Sequence, residues 1–346
     1  MSAFARPAGT PPSGEHPGRD GVVRPALCGR GAVLERVRAC LPGTELSGPA
    51  LRAYTGLAEQ RMKMYTRFLG FSSVRVADGA RLPDMLLEAT RATLAGVDPQ
   101  TVRYLLYAHT TQQVAPLGVN LADRLRRTLG LHRASVFSVS QQNCASGLFA
   151  LDLAATLLAG EPPAARALVV TGECGFTELL RHIPGIALIG DGAAAALLGR
   201  RDDHPIGDTV LGSHFVTRGR FYRGVGLGPD DEREYHQTYA PVFCEVIRTA
   251  VGSAGLDLDD VAMVVPHNVN RLSWKSVAKG LGLPMERVYL DALPRIGHLQ
   301  AGDPLVNLAA LKAAGRLKPG DRYVLAAVGL GATFGAVVLQ AGDLGD

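Results

Sequence analysis

The chain has 346 residues, is 47% hydrophobic and holds 41 glycines, enough for a large core with many tight turns. Its net charge of +4 is small and spread out, with no basic stripe interleaved with aromatics, which argues against nucleic acid as a partner. No apolar run is long enough to span a bilayer and the N-terminus lacks a secretory apolar region, so a cytoplasmic protein without membrane attachment is expected; the five scattered cysteines show no C-x-x-C or metal spacing and are expected to be reduced thiols, with no metal bound.

Residues 1–24 are rich in Pro, Gly and Ala and read as a mobile extension. Residues 134–139 form a short β-like run, and 145–159 a run of small apolar helix formers. Cys144 stands between them, at the positive end of the predicted helix, where unpaired N–H groups favour thiolate over thiol. Ala145, Ser146 and Gly147 keep that turn slim. A free cysteine is as readily a small buried hydrophobe, so Cys144 alone leaves both roles open. Residues 167–171 predict a strand, and Gly190-Asp191-Gly192 leads into an Ala-rich strand ending near Leu198. That Gly-Asp-Gly precedes a strand instead of opening a helix, so it reads as a turn shaped by Asp191 and not as a nucleotide loop. Arg200, Arg201, Asp202, Asp203 and His204 form a charged connector, the expected dividing line between two halves.

Residues 241–251 follow a helical pattern that places Cys244 in the core; Cys174 reads as a packing residue, and His182, His204, His214 and His236 as loop or surface groups. An apolar strand ending at Pro266 presents His267 at its C-terminal mouth, where catalytic groups collect in α/β sheets. Residues 323–328 and 336–340 predict two strands joined by a glycine-rich turn, which can aim a bare N–H at a developing oxyanion. Each half thus finishes on a small-residue hairpin, which predicts an α/β fold with internal duplication. A cysteine at a helix start, a histidine at a strand end and a glycine turn suit covalent acyl transfer.

Several anchors share one order: Tyr65-Thr66-Arg67, Asn143-Cys144-Ala145-Ser146-Gly147, Gly190-Asp191-Gly192-Ala193-Ala194, Pro266-His267-Asn268-Val269-Asn270, Gly315-Arg316-Leu317-Lys318-Pro319-Gly320 and Gly329-Leu330-Gly331-Ala332-Thr333-Phe334-Gly335. With them the chain resembles β-ketoacyl-ACP synthase III-type proteins of the thiolase superfamily, over about residues 33–339. The resemblance implies duplicated βαβαβαββ halves in five layers, α-β-α-β-α. The nucleophile falls in the half at 25–200 and His267 in the half at 201–346. It implies an acyl-CoA or acyl-carrier-protein thioester as substrate, no resident cofactor, and a homodimer paired through the strand before Cys144. The N–H groups of Cys144 and Gly331 are then the oxyanion hole. Arg67 falls near the entrance used by pantetheine, and Asn268 and Asn270 are expected to contact substrate.

The chain departs from that pattern at one place. Initiating ketosynthases carry Cys, His and Asn, and here His298 stands where the Asn belongs, in Gly297-His298-Leu299-Gln300-Ala301-Gly302-Asp303-Pro304. Some relatives that pass acyl groups to small molecules are Cys-His-Asp enzymes, and Asp303 fits that pattern. Decarboxylative condensation needs two donors on an enolate oxygen, which His267 and His298 could supply. Acyl transfer to an alcohol or amine needs a base backed by a carboxylate, for which His267 oriented by Asp303 is the expectation, in natural-product biosynthesis. Asp303 is equally a helix cap, and His298 equally a structural hydrogen-bonder. A third reading is a non-catalytic partner that binds acyl carriers. The lone tryptophan, Trp274, is far in sequence from Arg67, and apolar Ile183-Pro184 replaces a basic entrance residue; both favour a carrier-bound donor over free CoA.

Overall fold

Strands covered on both faces read as continuous apolar runs, and the segments at the centre of this molecule have that character. A computed structural model describes residues 22–23, 31–79, 81–177, 180–201 and 206–342. The strands of the first half are β1 (Val22–Val23), β2 (Ala32–Cys40), β3 (Thr44–Ser47), β4 (Ser73–Val76), β5 (Val102–Ala108), β6 (Ser135–Val139), β7 (Arg166–Glu173), β8 (His182–Ile183), β9 (Ala187–Leu188) and β10 (Gly192–Arg200). The second half adds β11 (Asp208–Thr217), β12 (Val261–Pro266), β13 (Arg322–Gly329) and β14 (Thr333–Gln340).

One sheet runs β12-β13-β14-β11-β2-β10-β7-β5-β6. Its first half, β6-β5-β7-β10-β2, is built as β2, helix Leu82–Thr93, β5, helix Leu121–Thr128, β6, helix Ser146–Leu158, β7, β10. The second half repeats this plan: β11, helix Pro229–Ser253, β12, helix Arg271–Leu281, then helix Asp303–Ala313, β13 and β14. Its third strand is reduced to one parallel bridge, Val288 to Val264. The halves join where Asp208 and Thr209 pair with Leu34 and Val33.

Helices Ser146–Leu158 and Asp303–Ala313 touch strands of both halves and lie between them. Helix Leu82–Thr93 covers the outer face of one half, and Pro229–Ser253 that of the other. These are the five expected layers. Helix Ser146–Leu158 is apolar nearly all round because it is enclosed on both sides.

The strand expected at 134–139 and the helix expected at 145–159 are present within a residue, as β6 and Ser146–Leu158. The helix expected at 241–251 instead begins at Pro229, with Asp230, Asp231 and Glu232 in its first turn, and Pro241 lies inside it. His214 is buried in β11, not in a loop. Most of the 1–24 extension lies outside the described residues, but Val22 and Val23 pair with Thr217 and Val216, so that part is strand. Residues 202–205 of the charged connector also lie outside them; β10 ends at Arg200 and β11 begins at Asp208.

Candidate active site

β6 leads into the tight turn Asn143–Ala145, which opens helix Ser146–Leu158. Asn143 has φ 49°, the left-handed region that Asn tolerates better than most residues, and its amide donates to the Leu330 carbonyl. A Cβ on Gly329 would stand 1.8 Å from the Gln142 oxygen, and one on Gly147 would stand 2.2 Å from the Ala301 oxygen. Only glycine allows these approaches. They hold Cys144 between the β13–β14 turn and the segment before helix Asp303–Ala313.

His267 follows the last residue of β12. Its N–H donates to Ala326 O at 3.0 Å, and its carbonyl accepts the Trp274 indole N–H at 2.8 Å. The ring packs edge-on to Trp274, with centroids 5.6 Å apart, and against Phe243. Trp274 therefore backs His267 and is not an entrance residue. No group among the described residues bonds His267 Nδ1, although it is buried.

His298 is set by backbone. Its N–H donates to Leu188 O at 2.8 Å and its carbonyl accepts Gly190 N–H at 3.1 Å. Gly297, at φ 78°, makes this possible: a Cβ there would crowd Val74, Leu188 and Gly190. His298 Nε2 lies 3.3 Å from Cys144 Sγ, and Nδ1 bonds the Asp303 carboxylate.

The expectation that Asp303 orients His267 is therefore corrected: Asp303 stands behind His298. The capping role is corrected too, because the side chain bonds none of its own helix's N–H groups and folds back over the preceding turn. Oδ1 accepts Leu299 N–H and Oδ2 accepts Asn268 N–H, both at 2.6 Å. Asn268 is correspondingly structural: fully buried, it accepts the Asn307 amide at 2.8 Å and donates to Gly297 O at 3.2 Å. Asn270 lines the cavity, but its polar ends are spent capping helix Arg271–Leu281 through Ser273 N–H and holding Ile186 O. Arg67 is exposed on the turn Tyr65–Leu69, whose last residue reaches the cavity. Gly331, at φ 120°, sits in the β13–β14 turn against Asn143.

Cys144, His267 and His298 share one cavity of about 320 Å³. Its walls are mainly Leu69, Ile183, Ile186, Val269, Val328 and Leu330, with Tyr235 and Tyr239 beside Cys144. Burial resists charge on His298, but the Asp303 carboxylate and then Cys144 outweigh it and hold the imidazole well above the usual histidine range. Burial, reinforced by the His298 charge, holds His267 well below that range, so it stays neutral. At Cys174 burial, Asp191 and Glu173 push the thiol up to about 12, which keeps it inert. Among the described residues no cluster suits a metal ion, and no helix is long and apolar enough to cross a membrane.

Sequence reasoning passed over Asn143, Asn307, Tyr235 and Tyr239. Asn307 lies one helical turn after Asp303, a spacing that could have marked it. The tyrosines were hidden by the late helix start.

Residues 140–219 match the family model for 3-oxoacyl-[acyl-carrier-protein (ACP)] synthase III, and residues 251–341 the model for its C-terminal part. A β-ketoacyl-[acyl-carrier-protein] synthase III of Roseobacter denitrificans is 31% identical over 282 residues, covering 76% of this chain and 85% of that protein. One from Rhizorhabdus wittichii is 29% identical over 327 residues, covering 90% and 99%. Among solved structures, the acyltransferase ChlB3 superposes with a TM-score of 0.80 at 24% identity, covering 91% of this chain and 98% of its own. FabH from Pseudomonas aeruginosa superposes with a TM-score of 0.76 at 24% identity, covering 92% and 100%. With its thiolase-like fold and this similarity over most of its length, the chain belongs to the β-ketoacyl-ACP synthase III family.

Proposed function

We propose that the protein is an acyltransferase. It moves an acyl group from a CoA or acyl-carrier-protein thioester, through acyl-Cys144, to a hydroxyl, amine or other small-molecule acceptor in natural-product biosynthesis. The observation that carries this reading is the unbroken contact from Cys144 through His298 to Asp303. His298 takes the thiol proton, and the Cys144 thiolate attacks the thioester carbon. The N–H groups of Cys144 and Gly331 hold the oxyanion. The carrier thiolate leaves and takes the proton from His298. In the second step His298 accepts the acceptor's proton, the acceptor attacks the acyl carbon, and Cys144 leaves as thiolate. Asp303 supports the imidazolium in both steps. Neutral His267 faces the same cavity and offers an N–H to substrate oxygen. The exposed edge of β6 suits pairing with a second copy.

Condensation is the second reading, favoured by the relatives' names and by the His267 and His298 rings 6.2 Å apart in one cavity. Against it, a carboxylate-backed base replaces the family's neutral Asn, which serves proton transfer better than it serves holding an enolate. The test mixes the protein with acyl thioesters and reads its intact mass. One adduct should form, be absent in Cys144→Ala, and discharge to an amine or alcohol. Malonyl thioester added to the acyl-enzyme should release little carbon dioxide. Steady release with a β-ketoacyl product would install the condensing reading, and no adduct at all would leave a carrier-binding module.

A further inference from the structure

Among the polar groups on the cavity wall, Tyr239 has no task in these two half-reactions. Tyr235 and Tyr239 lie one turn apart on helix Pro229–Ser253 and line the cavity with Cys144. The Tyr239 ring is fixed by Tyr235 and Phe243, with centroids 5.9 Å away, and by Phe334 at 6.0 Å. Its hydroxyl oxygen is buried, and no group among the described residues bonds it.

We propose that Tyr239 determines acyl specificity: its phenolic O–H donates to an oxygen on the acyl chain of acyl-Cys144, so the preferred donors are thioesters whose chain carries a hydroxyl or carbonyl beyond the thioester carbon. This rests on the acyl-Cys144 reading. The nearest ring neighbours of Tyr239 besides Tyr235 are Phe243 and Phe334, which carry no donor or acceptor in their side chains. An acyl chain with an oxygen in reach pairs this buried donor, whereas a plain hydrocarbon chain leaves it unpaired, and the site favours the ligand that pairs it. The acyl group is the partner of choice because it occupies the site in both half-reactions, whereas carrier thiol and acceptor each visit once. Burial first, then Tyr235 and Cys144, push the Tyr239 phenol well up, so it remains a donor at neutral pH.

The test measures initial rates of Cys144 acylation by intact mass on the full chain. The N-acetylcysteamine thioesters are butyryl against 3-hydroxybutyryl, and benzoyl against 3-hydroxybenzoyl. At least one oxygenated member should react about tenfold faster than its plain partner, ~1.4 kcal/mol. Tyr239→Phe should bring that ratio close to one while melting no lower than wild type, since it removes a hydroxyl that no group among the described residues uses. Ratios near one in the wild type, or a ratio kept in Y239F, would overturn the proposal. So would a lower melting point of Y239F, which would mean that the hydroxyl serves the fold. Absence of any adduct would refute the acyl-Cys144 reading itself, and this inference with it.

Discussion

Asp303→Asn separates a catalytic carboxylate from a structural one. Asp303 is fully buried and receives three donors: Leu299 N–H and Asn268 N–H at 2.6 Å each, and His298 Nδ1. Asn offers one acceptor oxygen and an NH2 group, so at least one backbone N–H loses its partner, at about 1–3 kcal/mol. The larger effect falls on His298. Its imidazole is held above the usual range by the Asp303 charge, against burial. Without that charge burial dominates, as it does for His267, and His298 becomes a poorer acceptor for the Cys144 proton. Both half-reactions then slow, by about 10²–10⁴-fold if the effect approaches that of removing the carboxylate from a serine triad. Rapid-quench intact mass from pH 6 to 9, alongside urea unfolding, reads both effects. A variant that unfolds earlier but acylates at the wild-type rate, with an unchanged pH profile, would refute the triad and leave Asp303 as a clamp on the turn.

Two further outcomes follow from the geometry. Gly329→Ala puts a Cβ 1.8 Å from the Gln142 oxygen and should cost more than about 3 kcal/mol, or displace the nucleophile turn enough to slow acylation by about 10²-fold; Gly226→Ala, with nothing within 4 Å, is the neutral control. His267 is held below its unfolded value, so its contribution to stability is full above the unfolded pKa of about 6.5 and is lost as pH falls through the folded value. Urea unfolding between pH 7 and 4 should show wild type losing stability more steeply than His267→Asn, by at most about 1.4 kcal/mol per pH unit; parallel curves would mean that His267 is not held neutral.

Much of this architecture is written in local pattern. The β6 run, the small-residue helix after Cys144 and the β13–β14 hairpin are short-range signals, and each element falls within a few residues of its expected place. The helix carrying Tyr235 and Tyr239 was misjudged for a local reason. Proline favours the first turn of a helix, and Pro241 looked like a start, yet Pro229 holds that place and the acidic first turn follows it. The misjudged start left two wall residues of the cavity, Tyr235 and Tyr239, outside the expected helix.

The pairing of Asp303 was beyond sequence for a different reason. Asp303, His267 and His298 are all visible as candidates, and spacing alone is indifferent to which histidine the carboxylate meets. The choice is made by Gly297 at φ 78° and by the turn Gln300–Gly302, which bring the His298 ring over the start of helix Asp303–Ala313. The carboxylate meets the backbone N–H of Asn268 instead of the neighbouring imidazole, so His267 receives no counter-charge from it. The two histidines share the cavity with Cys144, but their environments push them in opposite directions: His298 up, His267 down. On the proposed acyl-transfer reading, titratable neighbours driven apart in this way take separate roles, one moving protons and one holding a neutral N–H. The carboxylate decides which is which, and it does so through backbone geometry at Gly297, outside the reach of any residue-type pattern.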